Sequence, residues 1–132
     1  MIECIARAET SQTAESPSES ARRIARERGE AIGAKARQER HLGRPGPERT
    51  IAIAEELLDE IGYEPTYDER GGLLLRNCPF HALVGRAPEL VCSINTAFVD
   101  GMLRGIGNET VRADLVPEKG ICCVRVVPPG RH

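Results

Sequence analysis

The chain has no stretch approaching the roughly 18 consecutive apolar residues that a membrane-spanning helix needs. It has no excess of positive charge either: 18 Lys and Arg stand against 20 Asp and Glu, a formal net charge of −2. A free-standing nucleic-acid-binding domain is usually basic, so this balance argues against one. The N-terminal residues "MIECIARAETSQTAESPSES" lack a basic segment followed by an apolar one, so they do not read as a secretory signal. The expected location is therefore cytoplasmic, away from the membrane. Two further motifs are missing. There is no C-x-x-C pair of the zinc-knuckle kind, and no glycine-rich loop of the sort that cradles phosphate.

What is present suits one domain. At 132 residues the chain can bury a core without needing a disulfide or a metal to fold. Residues 1–15 mix small, polar and acidic types and are expected to be flexible, leaving 16–132 as the domain. "SPSE" at Ser16–Glu19 has the pattern of a helix start, with Ser16 at the N-cap, Pro17 at N1 and Glu19 at N3. The helix is expected to run to about Arg40. Its apolar positions, Ala21, Ile24, Ala31 and Ile32, form only a thin stripe among Arg and Glu, which reads as a solvated surface helix.

A second helix is expected from Pro47, with Ile51, Ala54, Leu57, Leu58 and Ile61 on one face and Gly62 as its stop. "YEPTYDERGGLLLRN" reads as a β-hairpin turning at Asp68–Gly72, with Pro65 confining its first strand to an edge. Residues 78–105 read as helical with a break near Gly85–Pro88. There Val91, Ile94, Phe98 and Met102 share a face that Leu90, Ala97 and Leu103 widen. "VRADLV" at Val111–Val116 and "ICCVRVV" at Ile121–Val127 read as a second hairpin. The expected fold class is α+β: N-terminal helices, then two hairpins with a helix between them, the helices packed on an antiparallel sheet.

Five cysteines, an odd number that includes the adjacent pair Cys122 and Cys123, are the chemically distinctive feature. In a reducing compartment they are expected to be free, catalytic or metal-bound rather than disulfide-paired. Cys78 precedes Pro79 and would be the N-cap of a helix; Cys92 follows Pro88 by about one turn. Both positions favour the thiolate, the form that binds metal. A strand sends neighbouring side chains to opposite faces, so Cys122 shares a face with Val124 and Val126, and Cys123 with Ile121 and Arg125. The valine face is the expected inward one. The resulting set is Cys78, Cys92 and Cys122, separated by 13 and 29 residues. Buried core cysteines explain the same positions as well, and the residues alone leave both readings open. His81, one helical turn past Cys78, and Cys123 are candidates for a fourth ligand. A thiol nucleophile paired as Cys78 and His81 lacks a third orienting group, so an enzyme is not expected.

"LLLRNCPFHALVGRAPELVCSINTAFVDGMLRGIG" followed by "VRADLVPEKGICCVRV" resembles the C-terminal sensory half of ArsR-like winged-helix transcriptional regulators, the group that includes the SufR-type repressors of iron–sulfur cluster assembly. That group carries a cysteine after Asn, a second in "ELVC" and a third in a closing "G-x-C-x-(V/Y)-R-(V/I)" strand, which match Cys78, Cys92 and Cys122. "ARRIARERGEAIGAKAR" and "LLDEIGYEPTYDERGG" resemble the group's connecting helices and first hairpin, so the likeness covers roughly residues 17–127. It implies a sensor domain that holds an iron–sulfur cluster, of the 4Fe–4S kind, through these three cysteines, and that works as a homodimer. The alternative is a module that holds zinc, or a small ligand and no metal. No helix-turn-helix or wing is read in this sequence, so DNA contact is expected only where a winged-helix half is supplied elsewhere.

Overall fold

A computed structural model describes residues 15–75, 88–115 and 124–129. Its described elements are helices α1 (Pro17–Glu39), α2 (Pro47–Ile61) and α3 (Pro88–Ile106), and strands β1 (Pro65–Tyr67), β2 (Leu73–Leu75), β3 (Arg112–Leu115) and β4 (Val124–Val127). The fold class is the expected α+β, helices against one antiparallel sheet.

Local chemistry sets most element ends. α1 begins at a capping box: Ser16 Oγ accepts from the Glu19 amide at 3.2 Å, and Glu19 Oε1 accepts from the Ser16 amide at 3.0 Å. Two of the four amides that a helix start leaves without partners are satisfied in this way. α2 begins at Pro47 and stops at Gly62, whose φ of 122° only glycine adopts without strain and whose amide turns back to the Leu58 and Asp59 carbonyls. In the β1–β2 turn, Asp68 Oδ1 accepts from the amides of Arg70 and Gly72 at 2.8 and 2.9 Å, the local bonding that makes Asp a turn residue.

The two hairpins join through their second strands, giving the order β1-β2-β4-β3. Leu73 pairs with Val126 and Leu74 with Arg125 across that junction. β1, with Pro65, is an edge strand as expected. Leu73, Leu75, Val124 and Val126 line the buried face, while Arg125 looks out toward Asp68, with Nε 3.9 Å from Oδ2.

α1 corrects the sequence reading. Its buried stripe is a different one, made of the smallest residues: Ala25, Gly29, Gly33 and Ala36 are buried, while Ile24 is 46% exposed. α3 meets this stripe with Gly101 and Gly105. A Cβ at Gly29 would overlap the Phe98 carbonyl oxygen, and one at Gly33 that of Met102. A Cβ at Gly101 would overlap the Arg26 carbonyl oxygen, and one at Gly105 that of Glu30. The partners advance together along both helices, so α1 and α3 run parallel, backbone against backbone. Hydropathy patterning ranks side chains by what they bury, and here the side chains are absent so that the backbones can meet.

α3 is accordingly buried on more than one side, touching α1, α2, β3 and β4. Val91, Ala97, Met102 and Leu103 are buried as expected. Val99 and Ile106 are fully buried as well, whereas Ile94 and Phe98 are only half-buried. On α2, Ile51, Ala54 and Leu58 are buried with Ile53, whereas Ile61 is exposed at the helix end. One apolar cluster links Ala36, α2, Tyr63, both hairpins and α3.

Candidate metal centre

Of the five proposed ligands only Cys92 lies among the described residues; Cys78, His81, Cys122 and Cys123 lie outside them. Cys92 is the fifth residue of α3 and half-buried against the apolar cluster. Its carbonyl accepts from Thr96 Oγ1 at 2.7 Å, a bond back along the helix. Cys92 is disulfide-bonded, which differs from the free or metal-bound thiol expected of a reducing compartment. No other cysteine lies among the described residues. The same limit applies to a full ligand set: among the described residues no group of three or more His, Cys, Asp or Glu is placed to hold a metal.

Two features lie near Cys92. The parallel packing puts the N-termini of α1 and α3 at the same end of the molecule. Arg22 and Ser93 meet across the seam at an offset of 71 residues, and on that offset Cys92 stands level with Ala21, near the start of α1. Two helix N-termini, each carrying about half a positive charge, therefore face the same region. The second is Arg22 itself. Its Nη1 donates to Ser93 Oγ at 3.3 Å, which brings a guanidinium to the residue following Cys92.

The turn beyond Cys92 is anchored from the other side. Asn95 is fully buried, and its Oδ1 accepts from the Tyr63 hydroxyl at 2.6 Å. Sequence reasoning missed Arg22, counted with a solvated face, and Asn95, a polar residue in an apolar helix. The periodicity carries no signal for either, since both are explained by contacts 32 or more residues away. On β4, Val124 and Val126 are at most 1% exposed and Arg125 points outward, so the valine face is the inward face there.

Asp100 sits midway along the seam, with Arg26 Nε at 3.7 Å and Arg104 Nε at 3.3 Å. A cleft of about 700 Å³ opens beside it, bounded also by Thr96, Val111 and Arg112. No helix among the described residues is long and apolar enough to cross a membrane. In comparisons with protein-family models, curated proteins and solved structures, nothing matches this chain.

Proposed function

We propose that this chain is the sensory or effector domain of a transcriptional regulator and holds an iron–sulfur cluster through the thiolates of Cys78, Cys92 and Cys122. DNA contact is made by a winged-helix half supplied elsewhere, and the working unit is a homodimer in the cytoplasm. The domain acts by binding rather than by turnover. The observation that carries this reading is the three-cysteine pattern Cys78, Cys92 and Cys122 in the sequence. Cys92, which lies among the described residues, is half-buried in the second turn of α3, beside the contact of Arg22 with Ser93.

The reading rests on the chemistry of the three donors. Soft thiolates select iron–sulfur clusters or zinc. Reducing the Cys92 disulfide consumes two electrons and two protons and yields two thiols, which become ligands on losing their protons. When bound, the cluster supplies a cross-link that redox chemistry can break. The chain supplies a rigid lever: Cys92 is rooted in α3, α3 is locked to α1 along the glycine seam, and Asn95 is tied to Tyr63. A change at Cys92 would therefore move α1 and α3 together, the kind of rigid-element shift that regulators transmit.

The test is reduction under nitrogen followed by reconstitution with ferrous iron and sulfide. The reading expects a broad visible absorption with matching iron and sulfide content, both lost in Cys92→Ser. Colourless, iron-free protein would reject it, and zinc at about one per chain would install the zinc alternative.

A further inference from the structure

We propose that the end of the molecule where α1 and α3 terminate is a binding site for a small oxyanion, a phosphoryl or carboxylate group, with Arg44 and Arg37 as its principal ligands. A cleft of about 550 Å³ lies there, walled by the α1–α2 loop and the α3–β3 loop, within the size range of small-molecule sites. Arg37, Arg44 and Arg104 line it against one acid, Glu109; with Arg104 paired to Asp100, its wall carries a formal excess of one positive charge on a chain whose net charge is −2. Such an excess focuses anions into a concave surface.

Two of these arginines have an evident structural task. Arg37 and Arg104 stand in the last turns of the parallel helices and offset their negative ends, and Arg104 is also paired with Asp100. Arg44 is different. It lies in a loop, it is exposed, and among the described residues its side chain has no hydrogen-bond or ion-pair partner. Yet the backbone on either side of it is pinned. The Gly43 carbonyl accepts from Arg37 Nε at 2.8 Å, and the Pro45 carbonyl accepts from Asn108 Nδ2 at 2.9 Å. The Arg37 guanidinium packs on the bare Cα of Gly107, whose φ is 114°, so Arg37 is held while its Nη atoms keep their hydrogen-bonding capacity. A cation on a tethered loop, beside a second guanidinium that is already positioned, is the pre-organised planar recognition that oxyanions select.

The experiment is calorimetric titration of the full chain in low-salt chloride buffer, with inorganic phosphate and, separately, with succinate. Saturable binding of at least one is expected, weakened about tenfold or more in Arg44→Gln and unchanged in Arg70→Gln, which removes the same charge from the β1–β2 turn. Phosphate alone would assign a phosphoryl ligand, and succinate alone a carboxylate; either supports the site. The proposal is overturned by the absence of saturable binding of both ions. It is equally overturned if Arg44→Gln binds like the parent, or if Arg70→Gln loses as much as Arg44→Gln.

Discussion

The Tyr63 hydroxyl donates to Asn95 Oδ1 at 2.6 Å, and both side chains are buried. The bond ties the residue that follows the α2 stop to the turn of α3 just beyond Cys92. It therefore sets the position of that turn more sharply than non-directional apolar packing does. Tyr63→Phe keeps the ring and deletes only the donor. It should lower stability by about 1–3 kcal/mol, read as a lower urea midpoint at an unchanged slope. An unaltered midpoint would show that the bond contributes nothing net.

Glycine-to-alanine changes along the α1–α3 seam should run against helix propensity. Alanine favours an exposed helix by about 1 kcal/mol over glycine. At Gly29 or Gly101, however, the new methyl overlaps a backbone carbonyl of the facing helix, and overpacking of this kind costs about 1–3 kcal/mol or more. Thermal melts followed by circular dichroism should show both variants losing several degrees. Gly43→Ala, where a Cβ meets nothing within 4 Å, should hold its midpoint. Stabilisation by Gly29→Ala would mean the helices sit further apart than described.

The start of α1 should be acid-sensitive. The Ser16 amide, and then the Ser16 hydroxyl, hold the Glu19 carboxyl below its ordinary pKa of 4.5. A depressed carboxylate contributes stability that is present above its unfolded value and is lost as pH falls through the folded one. Helix content should therefore fall in that acid window, and Glu19→Gln, which can still accept from the Ser16 amide, should flatten the dependence. Ser16→Ala should lower the melting temperature at neutral pH.

Alkylation should report the state of Cys92. In denaturant without reductant, peptide mass spectrometry should find Cys92 unlabelled by iodoacetamide, and after reduction it should be labelled. Labelling before reduction would contradict the bridge. After reconstitution, Cys122→Ser should lose iron and Cys123→Ser should retain it, the outcome that the proposed ligand set requires. The reverse pattern would place a bulge between the cysteines and Val124.

Arg26→Gln should be milder than any seam glycine variant. Its Nε is 3.7 Å from Asp100 Oδ2, and its side chain is 42% exposed. Exposed pairs of this kind contribute about 0–1 kcal/mol. A loss as large as that of Gly101→Ala would mean that charge, rather than close approach, holds the two helices together.

What the sequence determined by itself is everything that neighbours in the chain decide. Ser16, Pro17 and Glu19 announce the start of α1. Gly62 ends α2, Asp68 and Gly71 shape the first hairpin, and Pro65 marks an edge, because a cap, a stop or a turn is made by groups a few residues apart. The alternation in "VRVV" likewise showed which face of β4 would be buried. Only the tertiary structure decided that the hairpins join as β1-β2-β4-β3, that Arg22 reaches Ser93 and that Tyr63 reaches Asn95. These contacts join residues that chain neighbours cannot relate. It also decided the face of α1. Ile24 looked like its buried stripe, yet Gly29 and Gly33 are buried in its place. Close approach of two backbones is specified by the side chains that are missing, and a pattern of apolar side chains cannot register them.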